Sequence, residues 1–329
     1  MSLLVVGSVA FDSVQTARGA VHEAIGGSAT YFSIAASYFT DVNLVAVVGD
    51  DFGSEQRAVF DDRPINLAGL AAATGKTFRW SGRYSEDFNQ AFTLDTQLNV
   101  FEHFRPVIPD SFRDAEFVFL ANIDPDLQLD VLNQIHRPKF TACDTMNFWI
   151  SGKLPALKQV ISRVDLLVVN DQEIRALSGK QNVMTGAREV MAWGPRCIVV
   201  KRGEFGALLC FQDDFIFAPA FPVTNVIDTT GAGDTFGGGL MGYLAKANTV
   251  NRQSLATGMA VGATLASFNV ESFSVDRLKS LTHKDITDRY EQLQRLLIRT
   301  VVALAPSRKP PARALAIGAQ ANRVPRRTP

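Results

Sequence analysis

The sequence predicts an α/β protein: a doubly wound layer of mainly parallel strands, with a small second β-sheet beside it. Three observations carry that prediction. Short apolar runs recur along the 329 residues, namely LLVV (3–6), NLVAVVG (43–49), FVFLAN (117–122), KFTACD (139–144), DLLVVN (165–170) and CIVVKRG (197–203). Their near-continuous apolar character is that of strands buried on both faces of a parallel sheet. Amphipathic stretches lie between or beyond them, SATYFSIAASYF (28–39), LQLDVLNQI (127–135), LPALKQVISRV (154–164) and ATGMAVGATLASF (256–268), and such alternation predicts helices covering both faces of the sheet. Two further stretches, 12–25 and 77–105, alternate apolar and polar residues, as in TFRWSGRY and FTLDTQLNVF. That period of two fits half-exposed strands of an accessory sheet.

Composition bounds the rest. Hydrophobic residues make up 47% of the chain and charged residues 20%, and 33 basic side chains balance 33 acidic ones. No global field draws the protein to nucleic acid or to a membrane surface, and neither is expected as a partner. Cys143, Cys197 and Cys210 show no C-x-x-C spacing and read as reduced core residues of a cytosolic protein. The N-terminal apolar run is too short for a signal peptide or a membrane span, so a cytoplasmic location is expected. The four histidines, His22, His103, His136 and His283, are scattered and form no ligand set. Residues 1–304 are expected to form one large domain, with 12–25 and 77–105 as its small sheet. Residues 305–329, proline-rich and carrying only basic charge, are expected to be a disordered tail without a catalytic role.

Two phosphate-binding patterns fail on inspection. A P-loop at AGLAAATGKT (68–77) would need glycine where Leu70 stands, and a helix where TFRWSGRY follows. A dinucleotide fingerprint beginning at Gly231 would need glycine where Phe236 stands. The stretch VIDTTGAGDTFGGGL (226–240) has its own logic. A helix starting near Gly233 would leave the amides of Ala232, Gly233 and Asp234 free at its N-terminus. Free N–H groups and the positive end of a helix dipole hold an anion without a lysine. Glycines let a phosphate approach those amides, and Asp234, in the first turn, could take a proton from an attacking hydroxyl. The chemistry alone leaves an even alternative, a capped helix packed closely through its glycines.

At DTTGAGDTFGGGL the chain closely resembles the C-terminal signature of the ribokinase-like sugar kinases, the phosphofructokinase-B family. GGSATYFSIAAS (26–37) resembles that family's di-glycine motif, and NDQE (170–173) its N-x-x-E motif. The resemblance runs from about residue 3 to residue 300. It implies a ribokinase-like three-layer α/β/α fold with a β-sheet lid, and an ATP- and Mg²⁺-dependent kinase that phosphorylates a hydroxymethyl group. It also implies Asp234 as base, with Gly231, Ala232 and Gly233 as the anion hole. Asn170 and Glu173 would organise Mg²⁺ through water. Asn170, Lys201, Gly203, Gly206, Thr229 and Asn269 would line the ATP site, with a simple hairpin turn as a credible alternative for Gly206. Asp228 and Thr230 resemble positions that bind a monovalent cation such as K⁺. On the acceptor side, the expected contacts are Asp12, Gly26, Gly27, Ser28, Asn122, Asp144 and Asn147.

One departure bears on the acceptor. Four residues after its second glycine, the di-glycine motif usually carries Asn, and this chain has Tyr31. The lid is also aromatic, with Phe78, Trp80, Tyr84, Phe88 and Phe92. A sugar is the leading acceptor; a nucleoside is the alternative that Tyr31 and the aromatic lid favour; a non-catalytic sugar-binding regulator on the same fold is a third reading. Lid strands in this family sometimes clasp a second subunit, so a homodimer through the lid is a further expectation.

Overall fold

Strand β1 (Ser2–Val6) shows how the sheet is buried on both faces. Leu3 and Val5 enter one apolar cluster while Leu4 and Val6 enter another, as the two-residue side-chain period requires. The computed structural model describes residues 2–88, 90–212 and 214–296. The expected tail (305–329) and residues 297–304 lie outside the described residues.

The remaining strands are β2 (Ala10–Thr16), β3 (Gly19–Gly26), β4 (Asp41–Val48), β5 (Ile65–Ala72), β6 (Phe78–Tyr84), β7 (Ala91–Gln97), β8 (Phe117–Leu120), β9 (Phe140–Asp144), β10 (Leu166–Asn170), β11 (Cys197–Lys201), β12 (Ala207–Phe211) and β13 (Asp214–Ala218). Nine of them form one sheet in the order β13-β12-β11-β10-β9-β8-β1-β4-β5. Its pairings are parallel from β5 to β11, and β12 and β13 close one edge antiparallel. The other four form the small sheet, in the order β3-β2-β6-β7.

Two helical layers cover the large sheet. On one face lie α1 (Ser28–Ala36), α8 (Ala232–Ala247), α9 (Arg252–Asn269), α10 (Asp276–Lys279) and α11 (His283–Leu296). On the other lie α3 (Pro125–Gln134), α5 (Leu154–Ile161), α6 (Asp171–Ser178) and α7 (Val183–Met191). Short helices α2 (Ser54–Arg57) and α4 (Asn147–Gly152) sit in loops. Glycine sets the helix spacing where α8 crosses α1, since a Cβ on Gly238 would stand 2.3 Å from the Phe32 carbonyl oxygen. The three-layer architecture and the separate small sheet are as the sequence predicts. Cys143, Cys197 and Cys210 are buried, and Cys210 Sγ lies 3.0 Å from Met191 Sδ. Among the described residues, no helix is long and apolar enough to cross a membrane.

Three readings need correction. Residues 99–103 form a 3₁₀ turn, not a lid strand. Val100 and Phe104 bury themselves against the large sheet, so the alternation in NVFEHF reports a turn with one packed side. Strand β5 was not anticipated, because as an edge strand it leaves Asn66, Ala68 and Ala71 unburied and lacks the continuous apolar pattern. The β12–β13 pair likewise extends the sheet past the last strand the pattern reveals.

Candidate active site

The strand order reverses at β1, from which the chain runs outward to β4 and β5 and later returns on the other side through β8 to β11. A crevice is expected outside the carboxyl ends of strands at such a switch point. Those ends carry the predicted residues: Asn122 just beyond β8, Asp144 closing β9, Asn170 closing β10 and Lys201 closing β11. Gln128 of α3, fully buried, fixes two of these ends by donating from Nε2 to the Leu120, Ala121 and Asp144 carbonyl oxygens at 3.3, 2.9 and 3.1 Å.

Helix α8 opens at the same place. Gly231 is its N-cap with φ 72°, a left-handed conformation that glycine adopts without a Cβ penalty. Ala232 donates its amide to the Thr229 carbonyl oxygen at 3.2 Å, so one of the three amides expected to be free closes a turn instead. Gly233 and Asp234 remain, on the first turn, with no backbone acceptor among the described residues, and the Asp234 amide donates to its own carboxylate. A Cβ on Gly233 would stand 2.9 Å from Lys201 Nζ, so bare backbone and an ammonium adjoin at the helix mouth.

Lys201 pairs with Asp144 at 3.0 Å, and both are largely buried. Burial alone would lower the ammonium, but Asp144, Glu173 and Asp234 outweigh it and hold Lys201 above its ordinary value. Asp234 is pushed up to about 7, chiefly by burial and then by the Asp144 charge, with Lys201 opposing. That places its proton affinity near the pH at which a general base works best. Asp12 is also pushed up to about 7 by burial, against an amide bond from Gly27 and with the Asp228 and Asp234 charges adding.

The acceptor side gathers around Asp12. Gly27 donates its amide to Asp12 Oδ2 at 3.4 Å. A Cβ on Gly26 would lie 1.9 Å from that same oxygen, so the first glycine of the pair makes room for the carboxylate. Ser28 starts α1 and its Oγ lies 3.1 Å from Ser8 Oγ. Ser8, which the sequence reading did not single out, thereby ties the end of β1 to this helix. Tyr31 is 2% exposed and lies against the loop, since a Cβ on Gly231 would come within 2.4 Å of its ring. Burial, with Asp12 and Asp228 adding, raises its hydroxyl well above the usual phenol range.

The small sheet reaches this loop. Tyr84 Oη lies 3.2 Å from Thr230 Oγ1, and Thr229 Oγ1 donates to the Phe88 carbonyl oxygen at 3.4 Å. Burial pushes the Tyr84 hydroxyl up to about 12. The other lid aromatics point elsewhere: Phe78 stacks on Phe101 at 5.4 Å, Arg83 covers Phe92 at 4.4 Å, and Trp80 Nε1 donates to Thr93 Oγ1 at 3.2 Å.

Several predicted residues already have partners. Asn122 Oδ1 accepts from Trp149 Nε1 at 3.0 Å. Asn269, 1% exposed, holds the loop from beneath, with Nδ2 donating to the Thr230 carbonyl oxygen at 2.8 Å and Oδ1 lying 3.2 Å from Thr235 Oγ1. Asn170 and Glu173 form a reciprocal capping box on α6, with bonds of 2.8 and 2.7 Å. Glu173 is nonetheless pushed up to about 7, by burial first. Gly203 and Gly206 bound a tight turn between β11 and β12, where a Cβ on Gly206 would meet the Ala218 carbonyl oxygen at 2.0 Å. Asn147 is exposed at the start of α4.

For cations, the donor set is sparse. Among the described residues, no group of three or more His, Cys, Asp or Glu could hold a metal alone. Asp228 Oδ1 accepts from the Thr230 amide and hydroxyl at 2.8 and 2.7 Å, while its buried Oδ2 has no hydrogen-bond partner, and an oxygen so placed suits a cation.

Comparison with known proteins identifies the family and the fold. The model of the pfkB family carbohydrate kinases matches residues 2–280. A cytidine kinase of Thermococcus kodakarensis is 28% identical over 250 residues, which cover 74% of this chain and 88% of that protein. The solved structure of a Burkholderia thailandensis nucleoside kinase in complex with inosine superposes with a TM-score of 0.73 at 17% identity, covering 88% of this chain and 98% of that one. An Arabidopsis thaliana ribokinase complexed with ribose and ATP gives 0.71 at 18% identity, covering 88% and 98%. The fold is therefore the ribokinase fold, and the chain belongs to the pfkB family of carbohydrate kinases, a family of phosphotransferases.

Proposed function

We propose that the protein phosphorylates the hydroxymethyl group of a nucleoside's ribose, with ATP as donor. The observation that carries phosphoryl transfer is Asp234, a carboxylate tuned to about 7 at a helix mouth where the Gly233 and Asp234 amides and Lys201 converge. ATP with a divalent ion supplies the phosphoryl group and the charge neutralisation it needs. The chain's own groups do the rest. The Gly233 and Asp234 amides, with the α8 dipole, bind the anionic group; Lys201 adds a positive charge beside it. Asp234 orients the acceptor hydroxyl and takes its proton late in a loose transfer, which a modest base suffices to do. Asp12 accepts hydrogen bonds from the ribose hydroxyls, and Gly26 and Gly27 keep that carboxylate in place. Asn170 and Glu173 face the nucleotide side, where Glu173 would hold water of the divalent ion. Asp228 Oδ2 would take a monovalent cation. The preference for a nucleoside over a free sugar rests on the likeness to the cytidine kinase and on Tyr31, which stands where sugar kinases of the family usually carry Asn.

An ADP-release screen across cytidine, inosine, adenosine, ribose, fructose and ketodeoxygluconate tests the reading. One nucleoside is expected to give a kcat/KM at least about tenfold above every free sugar, a difference of ~1.4 kcal/mol in transition-state binding. A free sugar at the top would return the assignment to the sugar kinases. ADP release with no acceptor in the panel would contradict both.

A further inference from the structure

We propose that Tyr84 is a positioning residue that couples the small sheet to the phosphate-binding loop, so that filling the nucleotide site orders the lid and closing the lid shapes the nucleotide site. The inference rests on the reading of residues 228–234 as the nucleotide-phosphate loop.

The geometry is a short relay. Thr230 has one hydroxyl proton, and its 2.7 Å contact with Asp228 Oδ1 is to a carboxylate, which when ionised can only accept. The Tyr84 hydroxyl, 3.2 Å from Thr230 Oγ1, is then the donor to Thr230. Asp228 Oδ1 also takes the Thr230 amide at 2.8 Å, and Asn269 Nδ2 holds the Thr230 carbonyl at 2.8 Å. Thr230 is thus fixed through its amide, carbonyl and hydroxyl, and the lid supplies a partner to only the last. One residue later stands Gly231, the left-handed cap that aims α8.

A second contact runs beside the first, from Thr229 Oγ1 to the Phe88 carbonyl at 3.4 Å. Phe88 sits at φ 58°, an unfavourable backbone for a bulky residue, and it presents its carbonyl to the loop from that conformation. The contacts therefore come from the end of β6 and from within the turn that follows it, 146 and 141 residues away from their partners in sequence. Neighbouring lid side chains do not share this role, since Trp80 and Phe92 are engaged within the small sheet. Coupling of this kind is reciprocal.

Hydrogen–deuterium exchange of the lid turn, with and without Mg·AMP-PNP as probe, tests the proposal without needing the acceptor. In the wild-type protein the nucleotide is expected to slow exchange of the 84–91 segment by about threefold to tenfold, the weight of one hydrogen bond. In Tyr84→Phe, which keeps the ring and removes only the hydroxyl, that slowing is expected to fall below about twofold, while a titration shows Mg·AMP-PNP bound at saturation. Equal protection in both proteins, or none in the wild type at saturation, would overturn the coupling and leave the kinase reading standing. Failure of Mg·AMP-PNP to bind the wild type at all would remove the kinase reading and the coupling with it.

Discussion

Asp234→Asn is expected to lower kcat by about 10²- to 10⁴-fold, the usual contribution of a positioned general base, and to leave the affinity for ATP within a few-fold. The side chain keeps its size and its place on α8, and the amides of Gly233 and Asp234 are unchanged, so binding survives while proton removal does not. The same substitution should alter stability in a pH-dependent way. The folded protein raises this carboxyl from 3.8 to about 7, so it binds the proton more tightly than the unfolded chain does. The group therefore favours folding below about 4, and that contribution is lost as the pH climbs through about 7. Asp234→Asn should melt higher than wild type at pH 8 and show little difference at pH 4. Near-normal turnover in the variant would remove Asp234 from the proton-transfer role.

Gly231→Ala is expected to reduce kcat/KM by about 100-fold, the scale set by a displacement of about 1 Å among reacting groups. Two effects add. The residue sits at φ 72°, where an L side chain costs ~1–2 kcal/mol. Its new Cβ would also meet the Tyr31 ring at 2.4 Å, and Tyr31 is too deeply buried to swing aside. The loop must then move, and the Gly233 and Asp234 amides move with it. The double variant Tyr31→Ala/Gly231→Ala should recover part of the loss, because the clash is gone while the backbone strain persists. Gly152→Ala, a position with open space around it, serves as the neutral control. A Gly231→Ala enzyme within threefold of wild type would show that this cap does not aim the amides.

How much of this was legible in the sequence depends on how local each signal is. The strand ends were readable because β1, β8, β9, β10 and β11 bury both faces, and Asp144, Asn170 and Lys201 close the last three of them. The place of Asp234 on the first turn of α8 was readable because glycine, alanine and threonine crowd a helix start. What could not be read is pairing across long separations. Asn122 was expected to face the acceptor, but Trp149, 27 residues on, takes its Oδ1. Asn269 was expected at the nucleotide, but it braces Thr230 from a distance of 39 residues. The N-x-x-E pair looked like a metal motif, and locally it is also the capping box that starts α6; both uses need the same two residue types at the same spacing. The aromatic lid suggested a stacking surface, yet among the described lid aromatics the hydrogen bonds to the loop come from Tyr84 and Phe88.

The central claim is that a carboxylate with a raised proton affinity governs phosphoryl transfer at the mouth of α8. The pH dependence of single-turnover transfer, at saturating ATP and acceptor, tests it most directly. The account predicts an acid limb with a midpoint near 7, and a limb moved to lower pH in Asp144→Asn, which removes the repelling charge and frees Lys201 to act on Asp234. A rate unchanged between pH 5 and 8, or a limb that stays in place when Asp144 is neutralised, would contradict it.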